Sequence, residues 1–165
     1  MAQIFIDGYN FLWASGEHRP EAIDDFQQAR DHLIARLAGH PRLARHQVTV
    51  VFDAYKTDAT SSSIDMIGGI RVQFSRGGET ADDVLKEAAR EHRDAAIVVS
   101  SDREVARFAE KQGCGVLGSH EFDRVLLEEI NLEEDDEEAL YERPAKKGPS
   151  RRDPKARRKA LARLR

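Results

Sequence analysis

Short apolar runs that end at or beside an acid, alternating with helical patterns, constrain the fold of this chain more than any other feature. QIFID (3–7), QVTVVFDA (47–54) and AAIVVSSD (95–102) are rich in β-branched residues and apolar without strict alternation. Runs of that kind are strands buried on both faces. GIRVQFS (69–75) alternates more, as expected of a strand with one more exposed face, and CGVLGS (114–119) reads as a short fifth strand. Between them lie helical patterns. In 21–39, Ile23, Phe26, Ala29 or Arg30, Leu33 and Leu37 recur at helix spacing, and Gly39 and Pro41 end the pattern. Residues 80–92 form a second helix with Thr80 as N-cap, and Ser101 with Glu104 is a capping-box signature for a third that starts near Asp102 and runs to Gln112. A fourth covers His120 to Ile130. TDATSSS (57–63) reads as a polar loop, and RGGE (76–79) as a turn. The alternation predicts an α/β fold of three layers, α/β/α, around a mostly parallel sheet of about five strands.

Ligand sites in such sheets lie beyond the C-terminal strand ends, near the switch in strand order. That is where the acids fall. Asp7 ends the first strand, Asp53 the second and Asp102 the fourth, while Glu79, Asp82 and Asp83 lie at the start of the helix after the third. Carboxylates gathered at one edge cannot all stay ionised without a cation. Hard divalent ions take oxygen ligands, and Mg²⁺ or Mn²⁺, as one ion or two, can activate a water and steady a leaving oxygen in phosphodiester cleavage. Asp7, Glu79, Asp83 and Asp102, with Asp53, are the candidate ligands. Asp82 on its own reads as a capping or solvated acid, since the helix dipole favours acids in a first turn. Asn10 is placed to add a neutral oxygen, or to position a phosphate or water.

These residues carry a family resemblance. DGYN (7–10), VVFDA (50–54), GETADD (78–83) and SSD (100–102), in that order over most of 1–130, resemble the YacP-like branch of the NYN domain family. The resemblance implies a PIN-like fold and a metal-dependent endoribonuclease in bacterial RNA processing or decay, with the ribosome as a partner and products ending in 5′-phosphate and 3′-hydroxyl. It places Asp7, Asn10, Asp102 and Glu79 with Asp82 or Asp83 in the catalytic set, Asp53 at a family position, and Arg30 at a basic position of the first helix. On spacing alone Arg30 reads as an exposed helical residue.

Charge separates the chain into parts. The net charge of −4 combines 15 basic and 29 acidic residues in 1–142 with 11 basic residues and one acid in 143–165. The expected organisation is a nuclease domain at 1–132, an acidic segment at 133–142 and a basic, disordered tail at 143–165. Its end, KARRKALARLR, becomes helical only when bound. A polycationic arm binds phosphates by releasing counterions, so Arg151, Arg152, Arg157, Arg158 and Lys159 join Arg30, Arg76 and Arg103 as candidate contacts to single-stranded RNA. The alternative is a tail folded back on the acidic segment.

Other features read as structural. Tyr9 and Trp13 pack a loop against the sheet, or else stack on bases. The six histidines lie outside metal-ligand spacing and Cys114 reads as a buried thiol. The chain has no apolar run long enough to cross a bilayer and no signal peptide is evident at its start, so a cytoplasmic protein is expected. A non-catalytic RNA-binding or ribosome-associated adaptor is the competing function, but a pure binder has no use for clustered acids. A receiver-type phosphoacceptor calls for an acid pair after the first strand and a lysine ending the fifth. Flap-type DNA nucleases resemble longer chains with a helical arch.

Overall fold

The computed structural model describes residues 1–15, 23–54, 63–134 and 155–164. In chain order its elements are β1 (Gln3–Asp7), α1 (Gly8–Ser15), α2 (Ile23–Ala38), β2 (Gln47–Phe52), β3 (Ile64–Ile67), β4 (Ile70–Phe74), α3 (Ala81–His92), β5 (Ala96–Val99), α4 (Arg103–Lys111), β6 (Gly115–Leu117), α5 (Ser119–Glu134) and α6 (Lys155–Leu164). The sheet has six strands in the order β3-β4-β2-β1-β5-β6. All pairings are parallel except β3 with β4. Beyond Gln3 and Gln47 at their starts, its central strands β1, β2 and β5 are buried, as their apolar runs require.

Two apolar layers sandwich this sheet. On one face Ile4, Ile6, Val50, Val72 and Val99 meet Phe11 and Leu12 of α1, Leu33 and Leu37 of α2, and Phe122 and Leu126 of α5. On the other, Phe5, Val51 and Val98 meet Val84, Leu85 and Ala88 of α3 and Val105 and Ala109 of α4. Successive residues of a strand point to opposite faces, so Asp7 shares the α3–α4 side with Phe5. Among the described residues no helix is long and apolar enough to cross a membrane.

The structure departs from the sequence-based expectation in four places. The sixth strand is β3, which forms a hairpin with β4 across Gly68 and Gly69. Both glycines have positive φ, +57° and +85°, as a tight hairpin turn needs. Second, β1 passes into helix α1 with no intervening loop, so Tyr9 and Trp13 are helical residues. Gly8 is required there by packing: a Cβ would lie 2.3 Å from the buried Phe52 ring. Third, the N-cap of α4 is Asp102, not Ser101. The Asp102 carboxylate accepts the N–H groups of Glu104 and Val105 at 2.8 and 3.0 Å.

The fourth departure concerns the tail. Residues 155–164 are not a free arm. They form α6, which lies along β6 at the sheet edge and buries Ala160 and Leu164 among the core residues of the α1–α2–α5 side. Every fourth residue of this basic segment is small or apolar, and that narrow stripe suffices because Gly115 lets the helix approach closely. A Cβ on Gly115 would sit 3.0 Å from the Ala160 backbone. The cations of α6 are largely engaged by the domain. Arg157 pairs with Glu121, Lys159 donates to the Gly113 carbonyl at 2.5 Å, and Arg163 donates to that of Asp94. Arg158 is exposed, while Arg151 and Arg152 lie outside the described residues, as does the acidic run from 135.

Candidate active site

The chain leaves β1 toward β2 on one side of the sheet and leaves β5 toward β6 on the other. A crevice therefore opens between the C-terminal ends of β1 and β5, as doubly wound sheets require. Asp7 stands at its centre, only 8% exposed. Its Oδ1 accepts the Asn10 N–H at 3.3 Å, which caps α1, and its Oδ2 accepts the Ser100 hydroxyl at 3.2 Å. Burial, and then the nearby charges of Asp82 and Asp53, push the Asp7 carboxyl up to about 6 against the lowering effect of those two hydrogen bonds. Ser100 also accepts the Asp102 N–H at 3.1 Å, so one hydroxyl ties β1 to the start of α4. Neither Ser100 nor Ser119 stood out in the sequence as more than a turn residue.

Asp53 follows β2 and accepts the Ala81 N–H at 2.6 Å, at the first turn of α3. Asp82, half-buried on that turn, is raised by burial, then by Asp102, with smaller contributions from Asp53 and Glu104 and an opposing one from Lys86. Asp7 thus feels the charges of Asp82 and Asp53, and Asp82 those of Asp102 and Asp53. Asp82 makes no hydrogen bond among the described residues, so its carboxylate remains available.

Two expected members have carboxylate oxygens engaged by turn backbone. Asp83 is the N3 residue of the α3 capping box: it accepts the Thr80 N–H at 3.0 Å while Thr80 accepts the Asp83 N–H at 3.2 Å. It is fully exposed, and the Thr80 bonds hold its carboxyl below the ordinary range. Glu79 closes its own turn by accepting the Arg76 N–H at 3.1 Å. Of the two adjacent acids, Asp83 is the one engaged by the cap and Asp82 the one beside the charges of Asp53 and Asp102. T-A-D-D already contained the signal, since Asp83 is three residues beyond the cap.

Asn10 is also redefined. Its Oδ1 accepts the Ser101 N–H at 2.8 Å and the Ser119 hydroxyl at 2.5 Å, so the amide oxygen is used in joining α1, the β5–α4 turn and α5. Its Nδ2 has no acceptor among the described residues and is the atom left for a phosphate or water. Arg30 is half-buried. It donates to the Tyr9 hydroxyl at 2.9 Å and lies over the rings of Phe74 and Phe52, 5.5 and 6.0 Å from their centroids. Tyr9 is buried beneath it and offers no face to a base. Trp13 remains 41% exposed, edge-on to Phe26. Arg76 and Arg103 are exposed, and Cys114 is a buried thiol.

Among the described residues no three His, Cys, Asp or Glu side chains come together closely enough to enclose a metal ion by themselves. The donor set is nonetheless the one that hard cations prefer: oxygens only, from four carboxylates linked through the charge of Asp82, one of them buried. Mg²⁺ usually keeps several waters and takes one or two carboxylates directly, which suits an open cluster of this kind.

The sequence profile of the YacP-like NYN domain matches residues 4–165. A curated Bacillus subtilis protein named YacP is 29% identical over 87 residues, 53% of this chain and 51% of that protein. The chain therefore spans about half the length of this curated relative in the matched region. Among solved structures, the crystal structure of Rae1 (YacP) from Bacillus subtilis superposes with a TM-score of 0.65 at 27% identity, covering 81% of this chain and 79% of that one. A mutant of the same protein gives 0.64 at 25% identity, covering 81% and 80%. The fold is accordingly PIN-like, with a nuclease-type arrangement of strands.

Proposed function

The chain belongs to the YacP-like NYN domain family, and on that premise we propose that it is a metal-dependent endoribonuclease hydrolysing phosphodiester bonds in single-stranded RNA. The observation that carries this reading is the convergence of Asp7, Asp53, Asp82 and Asp102 on one crevice, with Asp7 buried and its carboxyl pushed up to about 6. A buried acid among like charges costs stability, and a site that binds a cation recovers that cost.

In this mechanism Asp7, Asp82 and Asp102, with Asp53 beside them, would hold Mg²⁺ or Mn²⁺. The bound ion supplies activation of a water and charge neutralisation at the scissile phosphate. Ser100 and the Asn10 N–H hold the Asp7 carboxylate in one orientation. Asp102 keeps one oxygen on the α4 backbone, leaving the other toward the crevice. Asn10 Nδ2 meets a non-bridging phosphate oxygen, and the Asp82 carboxylate, which makes no hydrogen bond among the described residues, is free to turn to the ion. Ribosome-bound RNA is the proposed setting, checked by co-sedimentation of the protein with ribosomes over a salt series.

The decisive measurement is cleavage of end-labelled single-stranded RNA and matched DNA with Mn²⁺, Mg²⁺ or EDTA, in parallel with Asp7→Asn and Asp102→Asn. Internal cleavage of RNA that stops with EDTA and falls at least a hundredfold in both variants is expected. Cleavage that survives EDTA and both substitutions would sink the reading.

A further inference from the structure

Beside the acidic crevice runs a surface of the opposite sign. α4 begins at Asp102, and its next residue, Arg103, starts a series that continues with Arg107 and Lys111. All three are exposed and none has a hydrogen bond or ion pair among the described residues. Residues four apart share one helix face and rise about 6 Å per step. The series is therefore a line of cations running straight away from the acids. Arg103 sits against the helix dipole, which disfavours a cation in a first turn.

The Lys86 and Arg90 cations on α3 are already paired, while Glu110 of α4 is exposed and lines a separate pocket with Asp94 and Lys155. Lys86 of α3 pairs with Glu104, and Arg90 pairs with Glu87 at 3.0 Å while its guanidinium lies 5.0 Å from the centroid of Phe108. Between the two helices lies an open groove of about 410 Å³, lined by Lys86, Arg103, Glu104, Arg107, Phe108 and Lys111. Glu104, its one acid, is neutralised by Lys86. Some cations of this acidic domain are held in structural pairs, such as Arg36 with Asp123 at 2.5 Å and Arg157 with Glu121, and others, such as Arg45, Arg71 and Arg124, are exposed singly on different elements. The α4 cations differ in sharing one helix face.

We propose that the α3–α4 groove is the track for one flank of the RNA strand, whose successive phosphates are held by Arg103, Arg107 and Lys111 as the strand leaves the crevice. This deepens the nuclease reading and rests on it. An extended polyanion fits better than a compact anion, because the cations are spread along a line rather than gathered at a point. Continuity with the acidic crevice favours the substrate's own backbone over an acidic polypeptide. Three α6 cations, Arg157, Lys159 and Arg163, are engaged by the domain, so the α4 line offers phosphate contacts that do not depend on them.

The test is binding of fluorescent single-stranded RNA in an Asp7→Asn background, so that affinity is read without turnover. Arg107→Gln with Lys111→Gln removes two exposed cations without altering the core, and circular dichroism checks the fold. Affinity is expected to fall about tenfold near 0.1 M salt, and the slope of log K against log salt to shrink by about 1.4, at 0.7 per lost phosphate contact. Trimming the RNA on one flank, and not on the other, removes the difference between the two proteins. An unchanged slope and affinity would overturn the track. So would poly-glutamate binding as tightly as RNA through the same two residues. If the parent fails to cleave RNA while the slope still drops, the nuclease reading falls and the track stands. Cleavage with an unchanged slope gives the reverse.

Discussion

Asp82 and Asp83 are adjacent and chemically identical, yet the structure gives them different surroundings. Thr80 caps α3, so the residue three positions on, Asp83, turns back to the cap while Asp82, about 100° round the helix, faces the crevice. The two substitutions to asparagine are therefore expected to separate. Asp82→Asn should lower RNA cleavage at least a hundredfold with little change in melting temperature. Asp83→Asn should leave cleavage within a few-fold of the parent and lower the melting temperature, since a capping acid is lost. Parallel cleavage rates and thermal melts check this, and equal loss of activity in both variants would refute the assignment. Asp7 and Asp102 were legible from the sequence because a strand end places a side chain without reference to anything else. The Asp82–Asp83 distinction required the helix start to within one residue. Asn10 required its partners, Ser101 and Ser119, which lie far along the chain.

At the scale of elements, the pieces that sequence patterns missed are those whose reason lies in a neighbour. α1 starts on a glycine that local propensity disfavours, and the Phe52 ring occupies the space a side chain would take. β3 is a short, exposed edge strand whose only sequence signal is the Gly68–Gly69 turn. α6 looks like a disordered basic tail by composition, and its helix is stabilised by Gly115 and the apolar core it joins. Placing a charge at the fully buried Ala160 should undock it. In Ala160→Glu, amides of α6 are expected to exchange at least tenfold faster, about 1.4 kcal/mol of local stability, while those of β1 and β2 keep their protection. Unchanged exchange in α6 would show that its docking does not depend on that contact.

For the whole molecule, the site is a cost that the fold carries. The Asp7 carboxyl titrates near 6 in the folded chain and at about 3.8 when unfolded. The native state therefore binds this proton more tightly. The associated stability is fully present below about pH 4 and is lost as pH rises through about 6. The loss is about 3 kcal/mol at most, from 1.36 kcal/mol per pKa unit. In metal-free protein, Asp7→Asn should then be more stable than the parent at pH 7.5, with the gap narrowing at pH 4.5. Saturating Mn²⁺ should raise the parent's melting temperature and leave the variant's nearly unchanged. Urea melts at both pH values and calorimetry with Mn²⁺ test this. A variant less stable than the parent at pH 7.5 would contradict the burial cost.

By itself the sequence determined the layers, the parallel sheet and the edge where acids collect. Continuous apolar runs must be covered on both faces, and a side chain at a strand's end has one direction to go. Tertiary structure decided which acids face one another, which cations are already paired and which end of the chain becomes a helix on the sheet edge. Those outcomes depend on contacts between residues tens of positions apart, as with Ser100 and Asp7 or Ala160 and Gly115, and no local pattern carries them.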